Sequence, residues 1–214
     1  MIIKTFQFNP LQVNTYILYD EHREAIIIDP GMITTEEEKQ LQSFVEENTL
    51  TIKHIICTHP HFDHVLGNAF CMSTFHAPLL MHKDGMKIYT QTAMYCSVCG
   101  LDVRGKEFPS PTHFITENEI ITAGNIQLTV INTPGHAVGS VSLYAPYSDA
   151  VFVGDLLFQG SVGRADLPSG NMLTLLESIK SKIYVLPDHT VVYPGHGETT
   201  KVGDEKKYNI YTLR

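Results

Sequence analysis

Three histidines and an aspartate fall within the seven residues THPHFDH, positions 58–64. Side chains two apart on a helix point roughly 200° away from each other, so His59 and His61 could not share an ion there. On an extended segment they point to the same side. The residues before them, IKHIICTH, read as a buried strand, and a helix is expected from about position 63 to 73. Asp63 and His64 then sit in its first turn, where a carboxylate is favoured. Such a strand–loop–helix junction aims four ligand-type side chains at one small volume. Four do not complete two metal sites, so similar junctions are sought along the chain.

Three occur. INTPGH ends a strand at His136, VFVGD at Asp155 and VVYPGHG at His196. In each, an apolar strand delivers one His or Asp directly after a glycine, which lets the backbone approach closely. Any one alone is a turn with a polar residue; together with positions 58–64 they point to metal.

The elements between these ends define the fold class. MIIKTFQF and VNTYILYD alternate apolar and polar residues as an opening pair of strands, and EAIIIDPG is a short buried strand closed by a turn. A helix follows with Thr34 or Thr35 as N-cap, acids in its first turn, and Leu41, Phe44 and Val45 at helical spacing. After the junction come the strand PLLMH, a helix through KDGMKIYTQTAMY, and a loop over residues 96–112, rich in Gly, Pro and Ser. EIITAGNIQLTVINTPG, SVSLYAP and AVFVGD return to β structure before a helix, MLTLLESIKSKIY, and a last strand, TVVYPGH. Strands pair as hairpins and then alternate with helices, twice over. The expected class is α/β: two mixed sheets packed together with helices outside, a four-layer αββα sandwich in one domain spanning 1–214.

The formal net charge is −8, which offers no basic surface to a phosphate backbone, so nucleic acid is not an expected partner. No apolar run is long enough to span a membrane, and the N-terminus lacks the apolar core and cleavage site of a signal peptide. A cytoplasmic protein without a membrane partner is expected. Cys57, Cys71, Cys96 and Cys99 are too few and scattered for a disulfide framework. Cys57 reads as core packing, and Cys96 with Cys99 as two thiols on a surface loop rather than a redox or metal pair. His54, His76, His82 and His113 lie off the motifs, in surface or core roles. Asp29, at a strand end before Pro-Gly, is either a turn aspartate or a partner that orients a ligand histidine.

His59-x-His61-x-Asp63-His64 followed in order by His136, Asp155 and His196 resembles the metallo-β-lactamase fold superfamily over nearly the whole chain. GDLLFQGSVGRADLPSGN (154–171) and YPGHGETTKVGDEKKYN (193–209), with NTYIL and DPG near the start, are similar to the glyoxalase II-like branch, the hydroxyacylglutathione hydrolases and their short relatives. The resemblance implies the αββα fold and two divalent metal ions. One ion would be held by His59, His61 and His136, the second by Asp63, His64 and His196, with Asp155 bridging. Asp63 and Asp155 would also be catalytic. Zinc is expected first, although iron and manganese suit the same nitrogen and oxygen donors.

The implied reaction is hydrolysis of a small-molecule thioester, such as S-lactoylglutathione, by a metal-bound hydroxide, with residual positive charge stabilising the oxyanion. A leaving thiolate needs little protonation, so no dedicated general acid is required. Only 18 residues (214 − 196) follow His196. The basic helical extension with which full-length glyoxalase II grips glutathione is therefore not expected, and glutathione preference does not carry over with the chemistry. The loop at 96–112 is an alternative source of substrate contacts. Arg164 is a candidate to grip a substrate carboxylate, although a structural pair with Asp166, bracing the loop after Asp155, is favoured.

Two other readings stand beside the hydrolase. Persulfide dioxygenases share the fold and the stretch from Gly160 to Asp166, and would use one iron held by the equivalents of His59, His136 and Asp155. A non-catalytic metal-binding module is the other. Many β-lactamases of the superfamily, with Cys or Ser at ligand positions, fit less well.

Overall fold

The computed structural model describes residues 1–213. Its first sheet takes six strands in chain order. β1 (Ile2–Phe8), β2 (Val13–Tyr19) and β3 (Glu24–Ile28) are antiparallel neighbours; β4 (Thr51–Ile56), β5 (Leu79–His82) and β6 (His113–Ile115) extend the sheet in parallel. Parallel neighbours need crossovers, and these carry helices. α1 (Thr35–Glu47) joins β3 to β4; α2 (Phe62–Val65) and α3 (Asn68–Phe75) join β4 to β5; α4 (Met86–Tyr89) and α5 (Thr92–Val98) lead towards β6. Thr34 caps α1 as the sequence suggests: its side chain accepts from the Glu37 amide while Glu37 accepts from the Thr34 amide.

In the second sheet β7 (Ile120–Ala123), β8 (Ile126–Asn132), β9 (Val141–Ala145) and β10 (Ala150–Gly154) run antiparallel. A small hairpin of β11 (Leu157–Phe158) and β12 (Ser161–Val162) follows. The chain then passes through α6 (Met172–Ser178), a π-helical segment (Ile179–Ile183), β13 (Val191–Pro194) and β14 (Thr200–Lys201), ending with α7 (Val202–Tyr208). β13 lies parallel to β10, and β14 antiparallel to β13.

Strand alternation assigns the buried side chains to three layers. Ala25 and Ile27 of β3 pack with Leu41 and Val45 of α1 and Cys71 of α3. Their neighbours Ile26 and Ile28 face the other sheet, against Leu128, Val130, Leu143 and Phe152. Val151, Val153 and Val192, on the outer face of the second sheet, pack with Leu175, Ile179 and Ile183. Two mixed sheets flanked by helices are thus the αββα arrangement expected. Truncating Ile26 or Ile28 to Ala in the central layer should cost about 2–5 kcal/mol.

The helices depart from expectation at identifiable residues. The single helix expected over 63–73 breaks into α2 and α3, because the Gly67 amide donates to the Pro30 carbonyl at 2.7 Å. A Cβ on Gly67 would lie 2.9 Å from the Pro30 carbonyl oxygen, so the close approach needs glycine. The loop expected from position 96 begins after Val98 instead, and Cys96 is fully buried in α5 rather than on a surface loop. Cys99 is exposed, as expected. No helix among the described residues is long and apolar enough to cross a membrane.

Candidate metal centre

Asp29 organises the junction after β4. It stands in the left-handed region (φ 51°) and turns its carboxylate back onto the chain. Oδ1 accepts from the Thr58 amide (2.7 Å) and Oδ2 from the Thr58 hydroxyl (2.6 Å). A hydroxyl has one proton, so Thr58 Oγ1, 3.0 Å from His59 Nδ1, accepts from the histidine. His59 Nε2 is left as a buried lone pair without a hydrogen-bond partner.

His61, the residue before α2, is extended (φ −66°, ψ 146°), which keeps it on the same side as His59, with ring centroids 4.9 Å apart. His136 arrives from the end of β8. Its Nδ1 donates to the Arg164 carbonyl (2.7 Å), and its Nε2 comes within 2.8 Å of His61 Nδ1. Gly135 permits this turn: at φ 134°, a Cβ there would lie 2.2 Å from Leu175 Cα. His59, His61 and His136 thus offer three nitrogens within 4.8 Å of one another.

A second group forms beside the first. His64 donates from Nδ1 to Asp29 Oδ2 (3.0 Å), so its Nε2 points towards His196 Nε2 (3.3 Å) and Asp63 Oδ2 (3.5 Å). His196 follows β13, and its Nδ1 donates to the Leu11 carbonyl (2.9 Å). Asp63 Oδ2 lies 3.3 Å from His196 Nε2. Asp155, after β10, stands between the groups: its Oδ2 is 3.6 Å from both His136 Nε2 and His196 Nε2. Asp155 Oδ1 is buried without a hydrogen bond. Gly195 makes room for it, since a Cβ there would fall 2.2 Å from Asp155 Oδ1 and 2.7 Å from His64 Cε1.

Asp29 also lies within 4.8 Å of ligand atoms on His59 and His64. Its oxygens already accept from the Thr58 amide, the Thr58 hydroxyl and His64, so it orients ligands rather than supplying one.

Electrostatics divide the two groups. Burial, reinforced by the neighbouring imidazoles, pushes His59 well below the usual histidine range, and burial and then His136 bring His61 down to about 3. Both are therefore neutral and available as ligands near pH 7. Burial opposes a charge on His64, but Asp63, Asp155 and Asp29 outweigh it and raise its pKa to about 10. For Asp63, burial is outweighed by His64 and His196, which lower it to about 2. A cation entering the second group would displace the His64 proton.

The residues fit divalent cations. Five imidazoles and two carboxylates converge without a thiolate, four histidines have their tautomers set by oxygen acceptors behind them, and His59 Nε2 and Asp155 Oδ1 are buried without a hydrogen bond. Asp63, His136, Asp155 and His196 form the floor of a cleft of about 600 Å³. Leu11, Ile88, Tyr95, Phe158, Leu167 and Pro168 contribute to its walls. Arg164 lies on the rim, but its guanidinium is exposed and doubly bonded to Asp166, with Nε–Oδ1 3.0 Å and Nη2–Oδ2 2.9 Å.

Sequence reasoning missed the Thr58 relay and the Leu11 carbonyl; Thr58 lay within the motif but carried no ligand signal. Of segment 96–112, Val98 and Cys99 line the cleft, both at the end of α5. Lys106 instead pairs with Glu38 of α1 at 2.9 Å.

Residues 8–196 match the profile of the Metallo-beta-lactamase superfamily. A probable metallo-hydrolase, YqgX of Bacillus subtilis, is 35% identical over 94% of this chain and 93% of its own. The hydroxyacylglutathione hydrolase GloC of Haemophilus influenzae is 30% identical over 99% and 98%. Among solved structures, the B3 metallo-beta-lactamase BLEG-1 superposes with a TM-score of 0.87 at 33% identity over the whole of both chains. A di-iron-bound form of TTHA1623 gives 0.85 at 32% identity, covering 99% of this chain and all of its own. ETHE1 from Myxococcus xanthus gives 0.79 at 27% identity over 100% and 86%. In this fold the clusters of His and Asp imply divalent metal ions.

Proposed function

The chain belongs to the metallo-β-lactamase superfamily, and from that premise we propose that it is a metal-dependent hydrolase acting on a thioester. One observation carries the reading: the Asp155 carboxylate stands between the two clusters, with His59 Nε2 and Asp155 Oδ1 buried without a hydrogen bond beside an open cleft. Its similarity to GloC supports thioester chemistry, and that to YqgX a metallo-hydrolase in the broader sense.

His59, His61 and His136 would hold one divalent ion, Asp63, His64 and His196 the other, with Asp155 shared. Such ions supply Lewis acidity and a water nucleophile with a depressed pKa. Asp29 and Thr58 fix the rings of His64 and His59, while the carbonyls of Arg164 and Leu11 fix those of His136 and His196. Asp63 and Asp155 place carboxylates on the cleft floor, where they would help hold the ions and orient the attacking water. The apolar walls limit access of bulk solvent. Zinc is the first expectation, and the similarity to a di-iron-bound protein puts iron beside it.

Thiol release from S-lactoylglutathione by zinc-, iron- and manganese-loaded protein tests this reading. Turnover should disappear in Asp63→Ala and His196→Ala; β-lactam ring opening, which releases no thiol and is followed by ultraviolet absorbance, is measured beside it because of the likeness to BLEG-1. The likeness to ETHE1 is compatible with a second reading, one-iron persulfide oxidation through His59, His136 and Asp155. The intact Asp63–His64–His196 group weighs for the hydrolase. Oxygen consumption with glutathione persulfide, without thiol release, would select the oxygenase.

A further inference from the structure

The cleft has an uneven chemistry. Its floor is polar, but its walls are formed largely by apolar side chains, among them Leu11, Ile88, Tyr95, Val98, Phe158 and Leu167. Two of them are not satisfied by packing: Val98 is 79% exposed and Leu11 46% exposed. Large apolar side chains left open around a polar floor are characteristic of a ligand site rather than of ordinary surface. The volume of about 600 Å³ lies within the roughly 300–1,000 Å³ usual for small-molecule sites.

Charge is the second observation. Among the residues lining the cleft, Arg164 is the only Lys or Arg, and its guanidinium fork is occupied by Asp166. The Asp63 and Asp155 carboxylates belong to the cation sites on the floor, and the chain as a whole carries −8. A charged thiol carrier with carboxylates of its own therefore finds no uncommitted Lys or Arg on the cleft wall.

Resting on the thioesterase reading, we infer that the cleft recognises an uncharged, apolar acyl group, and that the charges of the thiol carrier contribute little to recognition. The acyl chain lies along the wall formed by α5 and the Phe158–Leu167 side, with its carbonyl over the floor. Each methylene buried there should improve binding by roughly two- to fourfold.

Calorimetry with non-hydrolysable thioethers tests recognition separately from turnover. S-methyl and S-hexyl derivatives of glutathione and of the neutral carrier N-acetylcysteamine would be titrated into metal-loaded and metal-free protein. The inference expects S-hexyl to bind at least about tenfold tighter than S-methyl in both series, with the two carriers within about threefold of each other. Val98→Asp, at an exposed position, should reduce the hexyl-to-methyl ratio. A flat dependence on chain length, or a glutathione series about tenfold tighter than the neutral one, would overturn it. Thiol release from the corresponding acetyl and hexanoyl thioesters separates the two claims. If thioethers bind according to chain length but no thioester is cleaved, the thioesterase reading fails and apolar recognition stands. If thioesters are cleaved with glutathione strongly preferred, the thioesterase reading stands and this inference fails.

Discussion

Asp29 Oδ2 lies 3.0 Å from His64 Nδ1, and both side chains are almost completely shielded from solvent. Through the same carboxylate Asp29 holds Thr58, and through Thr58 it sets the tautomer of His59. One residue outside both clusters therefore aims a histidine into each. Asn tolerates the left-handed backbone at this position but cannot accept at both oxygens. Asp29→Asn should fold and lose about 10- to 100-fold in metal affinity, measured by competition with a chromogenic chelator. Wild-type affinity in this variant would remove Asp29 from the account.

The stability of the metal-free protein should pass through a maximum near neutral pH. His61 has a folded pKa of about 3, below the unfolded value, so its contribution is complete above the unfolded pKa of about 6.5 and is lost as pH falls towards 3. His64 is raised to about 10, so its contribution is present below about 6.5 and is lost as pH rises through 10. Thermal melts of metal-free protein from pH 4 to 10 should therefore show Tm falling on both sides. Metal loading should flatten the alkaline limb, because the cation replaces the His64 proton. An alkaline limb unchanged by metal would contradict this.

Gly195 is where the smallest side chain should do the most harm. A Cβ there meets Asp155 Oδ1 at 2.2 Å and His64 Cε1 at 2.7 Å. Gly195→Ala should displace the shared carboxylate and lower kcat/KM by about 100-fold or more, since misplacement by about 1 Å has that effect. Circular dichroism would verify that the fold persists, and metal content should fall in step with activity.

Arg164 should act mainly through its backbone. Its carbonyl orients His136, while its guanidinium pairs with Asp166 at the surface. Arg164→Ala keeps the carbonyl, so kcat/KM should fall less than about tenfold and equally for charged and neutral thiol carriers. Exposed ion pairs contribute little. A loss confined to the glutathione substrate would restore the carboxylate-gripping role.

The convergence of the seven His and Asp side chains was legible because they lie in junctions after strands, three of them directly after glycine, and their side-chain type suggests ligand chemistry. The layer order was legible from alternation, which sends Ile26 and Ile28 one way and Ala25 and Ile27 the other. What was hidden depends on the backbone or on tertiary contact. The carbonyls of Leu11 and Arg164 carry no side-chain signal, yet they orient His196 and His136. The break at Gly67 depends on the distant Pro30 carbonyl. Cys96 is buried because α5 continues past it, which local Gly and Pro content did not reveal.

The most direct test titrates metal into metal-free protein while ions per chain and thiol release from a thioester are followed together. The account predicts that activity climbs as occupancy moves from one ion to two, and that His196→Ala stops at one ion with little turnover. Full activity at one ion per chain, or two bound ions without cleavage of any thioester, would contradict it.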